Sequence, residues 1–147
     1  ALAEFLPTLP RDIKFAVEIR QRARLNDHVL GLLAEHAVAL TLTDARWIPR
    51  KQMIALAARP TAGFAYVRWM GGNRDLVDYS RIQIDRSREL EEWTAVLTTL
   101  AKVHVKVYGY MNNLFAGHSP ESVRDLQRLM GLSPMDPASL GDQMTLF

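Results

Sequence analysis

A chain of 147 residues, 48% hydrophobic and 23% charged, has the length of one domain and a globular composition, which excludes wholesale disorder. A net charge of +2 is too small to demand a polyanionic partner, so local clusters must decide that question. The absence of cysteine excludes disulfides and thiolate metal sites, and charged residues interrupt every apolar run before it reaches membrane-spanning length, so the expectation is a soluble, cytoplasmic protein without a membrane partner.

The first residues, Ala1 to Leu6, read as the end of a helix stopped by Pro7 and Pro10, and a start at Ala1-Leu-Ala-Glu4 leads us to expect further sequence upstream. Lys14 to Arg20 then alternates, with Phe15, Val17 and Ile19 on one face and Ala16, Glu18 and Arg20 on the other, which predicts a strand. Asn26 is a helix cap for a segment with Val29, Leu30, Leu33 and Ala37 at helical spacing, and a second strand follows over Val38 to Thr43 with Asp44 at its end. Residues 51–58 form a short helix with Pro49 just before it and Pro60 and Gly63 beyond it. A third strand over Phe64 to Trp69 ends in the loop Gly71-Gly-Asn-Arg-Asp75. Leu90, Trp93, Leu97 and Leu100 form one stripe of an amphipathic helix over 87–102. A fourth strand runs from Val105 to Met111, closed by Asn112 and Asn113. Ser119-Pro120 opens a last helix with Val123, Leu126, Leu129 and Met130 on its buried face and Gly131 as its stop. From Leu132 the repeated Pro, Ser, Gly and Asp predict an extended or disordered tail, so 1–131 reads as a folded unit and 132–147 as an appendage.

Four strand-plus-helix units imply a parallel sheet with right-handed crossovers, which gathers the strand C-terminal ends on one rim. Four units alone leave two sheet edges unpaired, whereas eight would close them, so the expected fold is α/β, half of a TIM-type (β/α)8 barrel, with an open sheet as the alternative.

The segments Phe15-Ala-Val-Glu-Ile-Arg20, Leu42-Thr-Asp-Ala-Arg46, Tyr66-Val-Arg-Trp-Met-Gly71, Val107-Tyr-Gly-Tyr-Met-Asn-Asn113 and the closing Gln143 to Phe147 resemble the C-terminal half of the YecE-like family, domain of unknown function 72. The resemblance covers nearly the whole chain. It implies a (β/α)8 barrel of which this chain supplies strands five to eight, with the N-terminal half-barrel missing, and it implies no established reaction. At the level of fold it extends to endonuclease IV-like and xylose isomerase-like barrels, which carries little functional weight.

Glu18, Arg20, Asp44, Arg68, Asn73, Arg74, Tyr110, Asn112 and Asn113 fall on or just beyond strand ends, where barrel enzymes place their working groups. Glu18 or Asp44 is a candidate general base or metal ligand, and the arginines form a candidate anion clamp. The competing structural reading has Glu18, Asp44, Arg20 and Arg68 satisfying one another in an ionic network that closes the mouth. Gly71, Gly72, Asn73 and Arg74 would follow strand seven, and the helix from Ser119 would follow strand eight; these two loops form the usual phosphate corner of the architecture, with a plain turn as the competing reading. No two of the four histidines stand at the i, i+4 spacing of a helical metal site, and His118, beside a helix start, is the one placed for proton transfer at the rim. Few metal ligands are offered compared with endonuclease IV-like enzymes, and the residues specify no cofactor. Tyr66, Trp69, Tyr108 and Tyr110 are candidates for a stacking platform, although most strand aromatics belong to cores. Arg81, Arg86 and Arg88 read as a solvated basic stretch available to backbone phosphates.

The last residues, Gln143-Met144-Thr-Leu146-Phe147, resemble the peptide with which many bacterial replication and repair proteins dock on the sliding clamp. Gln143 offers an amide to a polar notch, and Leu146 and Phe147 offer apolar surface to a pocket. Packing of Leu146 and Phe147 on their own barrel is the competing reading. The expected function is therefore action in DNA metabolism or repair, with a phosphate-bearing DNA or nucleotide-like ligand at the rim and a clamp at the tail; a small-molecule barrel enzyme and a non-catalytic adaptor are the alternatives.

Overall fold

The computed structural model describes residues 1–72 and 75–140. Helix α1 (Leu2–Phe5) runs into a 3-10 turn over Leu6–Thr8, and β1 (Ala16–Val17), α2 (Asp27–Glu35), β2 (Ala39–Ala45), α3 (Arg50–Ala57), β3 (Phe64–Gly71), α4 (Ser87–Lys102), β4 (Lys106–Met111) and α5 (Ser119–Leu129) follow in strict alternation. The sheet is wholly parallel in the order β1-β2-β3-β4, each strand pairing with its neighbour in sequence. Sequential order matters, because right-handed crossovers that always step the same way lay every helix on one side of the sheet, whereas an open doubly wound sheet reverses direction and covers both.

The packing follows that rule. Leu30 and Leu33 of α2, Met53 of α3, and Trp93 and Leu97 of α4 join Leu40, Leu42, Val67 and Trp69 of the sheet in one buried cluster. The rings of Trp69 and Trp93 meet edge to face with centroids 5.7 Å apart. The predicted stripe of α4 is buried throughout, and the Asn26 side chain caps α2 by accepting from Val29 N at 3.0 Å.

Four expectations need correction. The first strand forms a ladder only at Ala16–Val17, although Ile19 is still buried and Glu18 still shares a face with Ala16. Helix α2 ends at Glu35, and Ala37 turns with φ 53° instead of extending the apolar stripe. Leu129 of α5 is exposed, and Ser122 takes the buried place beside Leu126. In the tail, Pro137–Leu140 forms a 3-10 turn, while the segment Gln143 to Phe147 lies outside the described residues.

Candidate functional site

Because side chains alternate along a strand, the sheet has a helix-facing side and a concave side. The concave side carries Lys14, Ala16 and Glu18 from β1 and its approach, Thr41 from β2, Phe64, Tyr66 and Arg68 from β3, and Tyr108 and Tyr110 from β4, around a cavity of about 740 Å³. Register places Tyr66 beside Thr41 and Tyr108, and Arg68 beside Thr43 and Tyr110.

At the C-terminal end of this face Glu18 is gripped from two directions. Arg68 Nη1 donates to its Oε2, and Arg20 Nε donates to Oε1 at 2.8 Å. The Glu18 side chain is mostly buried, at 12% exposure, while Arg20 is 67% exposed and sits 5.3 Å from the centroid of the Trp47 ring. Both Glu18 oxygens are taken up by guanidinium donors, so the geometry suits the placing of charge. Next to this ion cluster Tyr66 and Tyr110 stack with centroids 5.2 Å apart and ring planes 29° apart, and Tyr110 is 54% exposed.

Asp44 is elsewhere. It follows Leu40 and Leu42 on the helix-facing side, where Arg50 Nε donates to Oδ2 at 2.6 Å and Trp93 Nε1 donates to the same oxygen at 2.8 Å. Arg50 also approaches Glu92 at 3.4 Å and Glu89 at 3.5 Å. Burial works against Arg50's charge, yet the hydrogen bond and proximity of Asp44, helped by Glu89 and Glu92, raise its pKa above the ordinary arginine value. Burial likewise opposes the Glu89 carboxylate, but Arg86, bonded to it at 2.8 Å, holds its pKa below the ordinary value. The expected four-membered mouth network is therefore two networks on opposite sides of the sheet: Glu18 with Arg20 and Arg68, and Asp44 with Arg50 and Trp93. Arg86 is also no solvated surface group, because its Nε donates to the Phe115 carbonyl at 2.9 Å and its side chain is 24% exposed.

In the predicted phosphate corner, the two loops are knitted together by their own backbone. Gly71 has φ 65° and lies against Leu114 and Phe115, Gly72 lies beside Arg46, and Asn73 and Arg74 are outside the described residues. Asn112 Oδ1 accepts from Leu114 N at 2.9 Å, and Asn113 Oδ1 accepts from Ser119 N at 2.8 Å, so both asparagine oxygens cap the turns that follow β4. His118 Nδ1 lies 2.8 Å from the Tyr79 carbonyl oxygen; a carbonyl only accepts, so Nδ1 carries the proton and Nε2 is the nitrogen left for other partners. Among the described residues no three His, Asp or Glu side chains gather as a metal centre requires.

The strand pattern did not mark Lys14 as lining this face, and it gave most of the strand aromatics to the core. Only Trp69 is fully buried among them. Parity carried the missing signal: Tyr66 shares a face with Arg68, and Tyr108 with Tyr110, whereas Trp69 falls in step with Val67.

A family profile described as "Protein of unknown function DUF72" matches residues 1–143. The chain belongs to the DUF72 family. This is the family that the strand motifs resemble. Two solved DUF72 structures share its fold. One, from Enterococcus faecalis, superposes with a TM-score of 0.62 at 17% identity, over 85% of this chain and 50% of that one. The other, from Thermotoga maritima, gives 0.58 at 21% identity, over 85% and 49%. The chain thus spans about half the length of the DUF72 structures it matches, as four of eight barrel units would. No curated protein matches it, and no helix among the described residues is long and apolar enough to cross a membrane.

Proposed function

We propose that the concave face and its C-terminal rim bind a phosphate-bearing ligand with a planar ring, of nucleotide or single-stranded DNA type, and that the protein acts in DNA metabolism or repair. The observation that supports this reading is the juxtaposition of the Arg68–Glu18–Arg20 cluster with the Tyr66–Tyr110 stack at the C-terminal end of one face of the sheet. Arginine presents five N–H donors in a flat fork suited to a phosphoryl group, and an exposed tyrosine offers its ring to any base. Ion pairing with Glu18 fixes where the Arg68 fork stands. A small-molecule enzyme that uses Glu18 as base is less well supported, since both Glu18 oxygens are already engaged.

Fluorescence anisotropy of a short labelled single-stranded oligonucleotide, titrated with the full chain at several salt concentrations, tests the reading. Tyr110→Ala is expected to weaken binding by about 1–3 kcal/mol, roughly 5- to 150-fold. Arg68→Ala is expected to lower the slope of log affinity against log salt by about one. Wild-type affinity and slope in both variants would remove the rim from the account.

The tail extends the proposal to a partner. Gln143, Met144, Leu146 and Phe147 have the residue types of a clamp-docking peptide, and burial of Leu146 and Phe147 would supply ~3–6 kcal/mol before ordering costs, a micromolar-class interaction. Isothermal titration of purified bacterial sliding clamp with the full chain is expected to show such binding and to lose it in the Leu146→Ala, Phe147→Ala double variant. Undiminished binding by that variant would end the docking idea.

A further inference from the structure

Lys14 leads into β1 and Lys106 opens β4, the two edge strands of the sheet. Flat strands at a spacing of about 4.8 Å would set those edges roughly 14 Å apart. The sheet curves instead, so that Lys14 Nζ crosses the concavity to donate to Tyr108 Oη at 3.3 Å, and Lys106 Nζ lies 5.1 Å from the centroid of the same ring. The chain spans 50% and 49% of the two solved DUF72 structures, which leaves four further units to pair both edges and to line the inner face. Whatever covers that face must suit two ammoniums.

Charge decides what kind of half can do so. Neither lysine forms an ion pair with a carboxylate among the described residues. Glu18 is the one carboxylate lining the face, and it stands four residues or about 13 Å up the strand from Lys14 with both oxygens taken by Arg20 and Arg68. An ammonium enclosed in a barrel interior needs an opposite charge beside it, because otherwise its desolvation goes uncompensated. A second copy of this chain would bring two more lysines, making four ammoniums at one floor and still no carboxylate free to meet them.

We infer that the concave face is the inner wall of a barrel closed by four different units of the same polypeptide, which set at least one Asp or Glu side chain between Lys14 and Lys106. That counter-charge fixes how the two halves meet at the N-terminal end of the barrel. The rim cluster lies at the other end, so the inference stands apart from whatever binds there.

Two samples test it: this chain alone, and the same residues expressed within their whole reading frame. In the chain alone Lys14→Glu exchanges a repulsion from Lys106 for an attraction, so the melting temperature is expected to hold or to rise by about 1–2 °C. In the closed barrel the same substitution sets two carboxylates against each other, and the melting temperature is expected to fall by roughly 4 °C or more, with Lys14→Met falling less. Opposite signs are the signature, since a lysine valued only for its aliphatic stem would lower both samples alike. Shifts of the same sign in the two samples overturn the counter-charge, and so does a Lys14→Met fall in the closed barrel as large as that of Lys14→Glu. Sedimentation equilibrium of the chain alone is expected to give a monomer at low micromolar concentration. A dimer there would assign the face to a second copy, and a reading frame without four further strand-plus-helix units would equally overturn the inference.

Discussion

Asp44→Ala is expected to lower the unfolding free energy by about 3–5 kcal/mol. The Asp44 side chain is 11% exposed, and it is the shared acceptor for the Arg50 guanidinium and the Trp93 indole. Its removal leaves a largely buried cation short of its closest carboxylate and a buried N–H without an acceptor, and each orphan carries a desolvation cost. Glu89 and Glu92 lie further from Arg50, at 3.5 and 3.4 Å, so they recover only part of the loss. Urea unfolding checks this through the midpoint at constant m-value, with Asp44→Asn as the comparison, since its amide oxygen retains one acceptor for Trp93 and should restore about 1 kcal/mol or more. Equal midpoints for wild type and Asp44→Ala would mean that the network is decorative.

Gly71→Ala is expected to cost about 3 kcal/mol or more, and to displace the loop after β4. Gly71 sits at φ 65°, a conformation that alanine adopts only under strain, and an added Cβ would drive into the Leu114 carbonyl and stand 2.6 Å from Phe115 Cα. These are backbone atoms and cannot swing aside. Phe115 in turn is bonded through its carbonyl to Arg86, so the strain should reach the start of α4. Gly31 provides the internal control. It lies in the interior of α2 with nothing within 4 Å of an added Cβ, so Gly31→Ala should stabilise by about 0.5–1 kcal/mol. Thermal unfolding of the two variants should move in opposite directions; a shared direction would sink the steric argument.

The architecture was legible in the sequence because it rests on local periodicities. Leu90, Trp93, Leu97 and Leu100 recur at the helical period and are all buried, and Phe64 to Trp69 reads as a strand and is one. Asn26 was recognisable as a cap from its residue type and position. The candidate site was less legible, since it depends on which side of a strand faces the helices. Glu18 and Asp44 both stand at strand ends, and strand ends alone do not separate them. The parity of Leu40, Leu42 and Asp44 against Thr41 and Thr43 does separate them once the side bearing the leucines is known to be the packed one. Other contacts had no local signature: Trp93 meets Asp44 from 49 residues away, Lys14 meets Tyr108 from 94, and the bond from His118 to the Tyr79 carbonyl depends on how the long loop after β3 folds back.

One-residue parity has an evolutionary consequence. Arg68 and Trp69 are covalent neighbours, yet one faces the cavity and the other the Trp93 ring on the far side of the backbone. Substitutions at Glu18, Arg68 and Tyr110, at the C-terminal end of the concave face, can therefore leave the helix-side core untouched, because residues divided by a sheet share few partners and their effects add rather than compound.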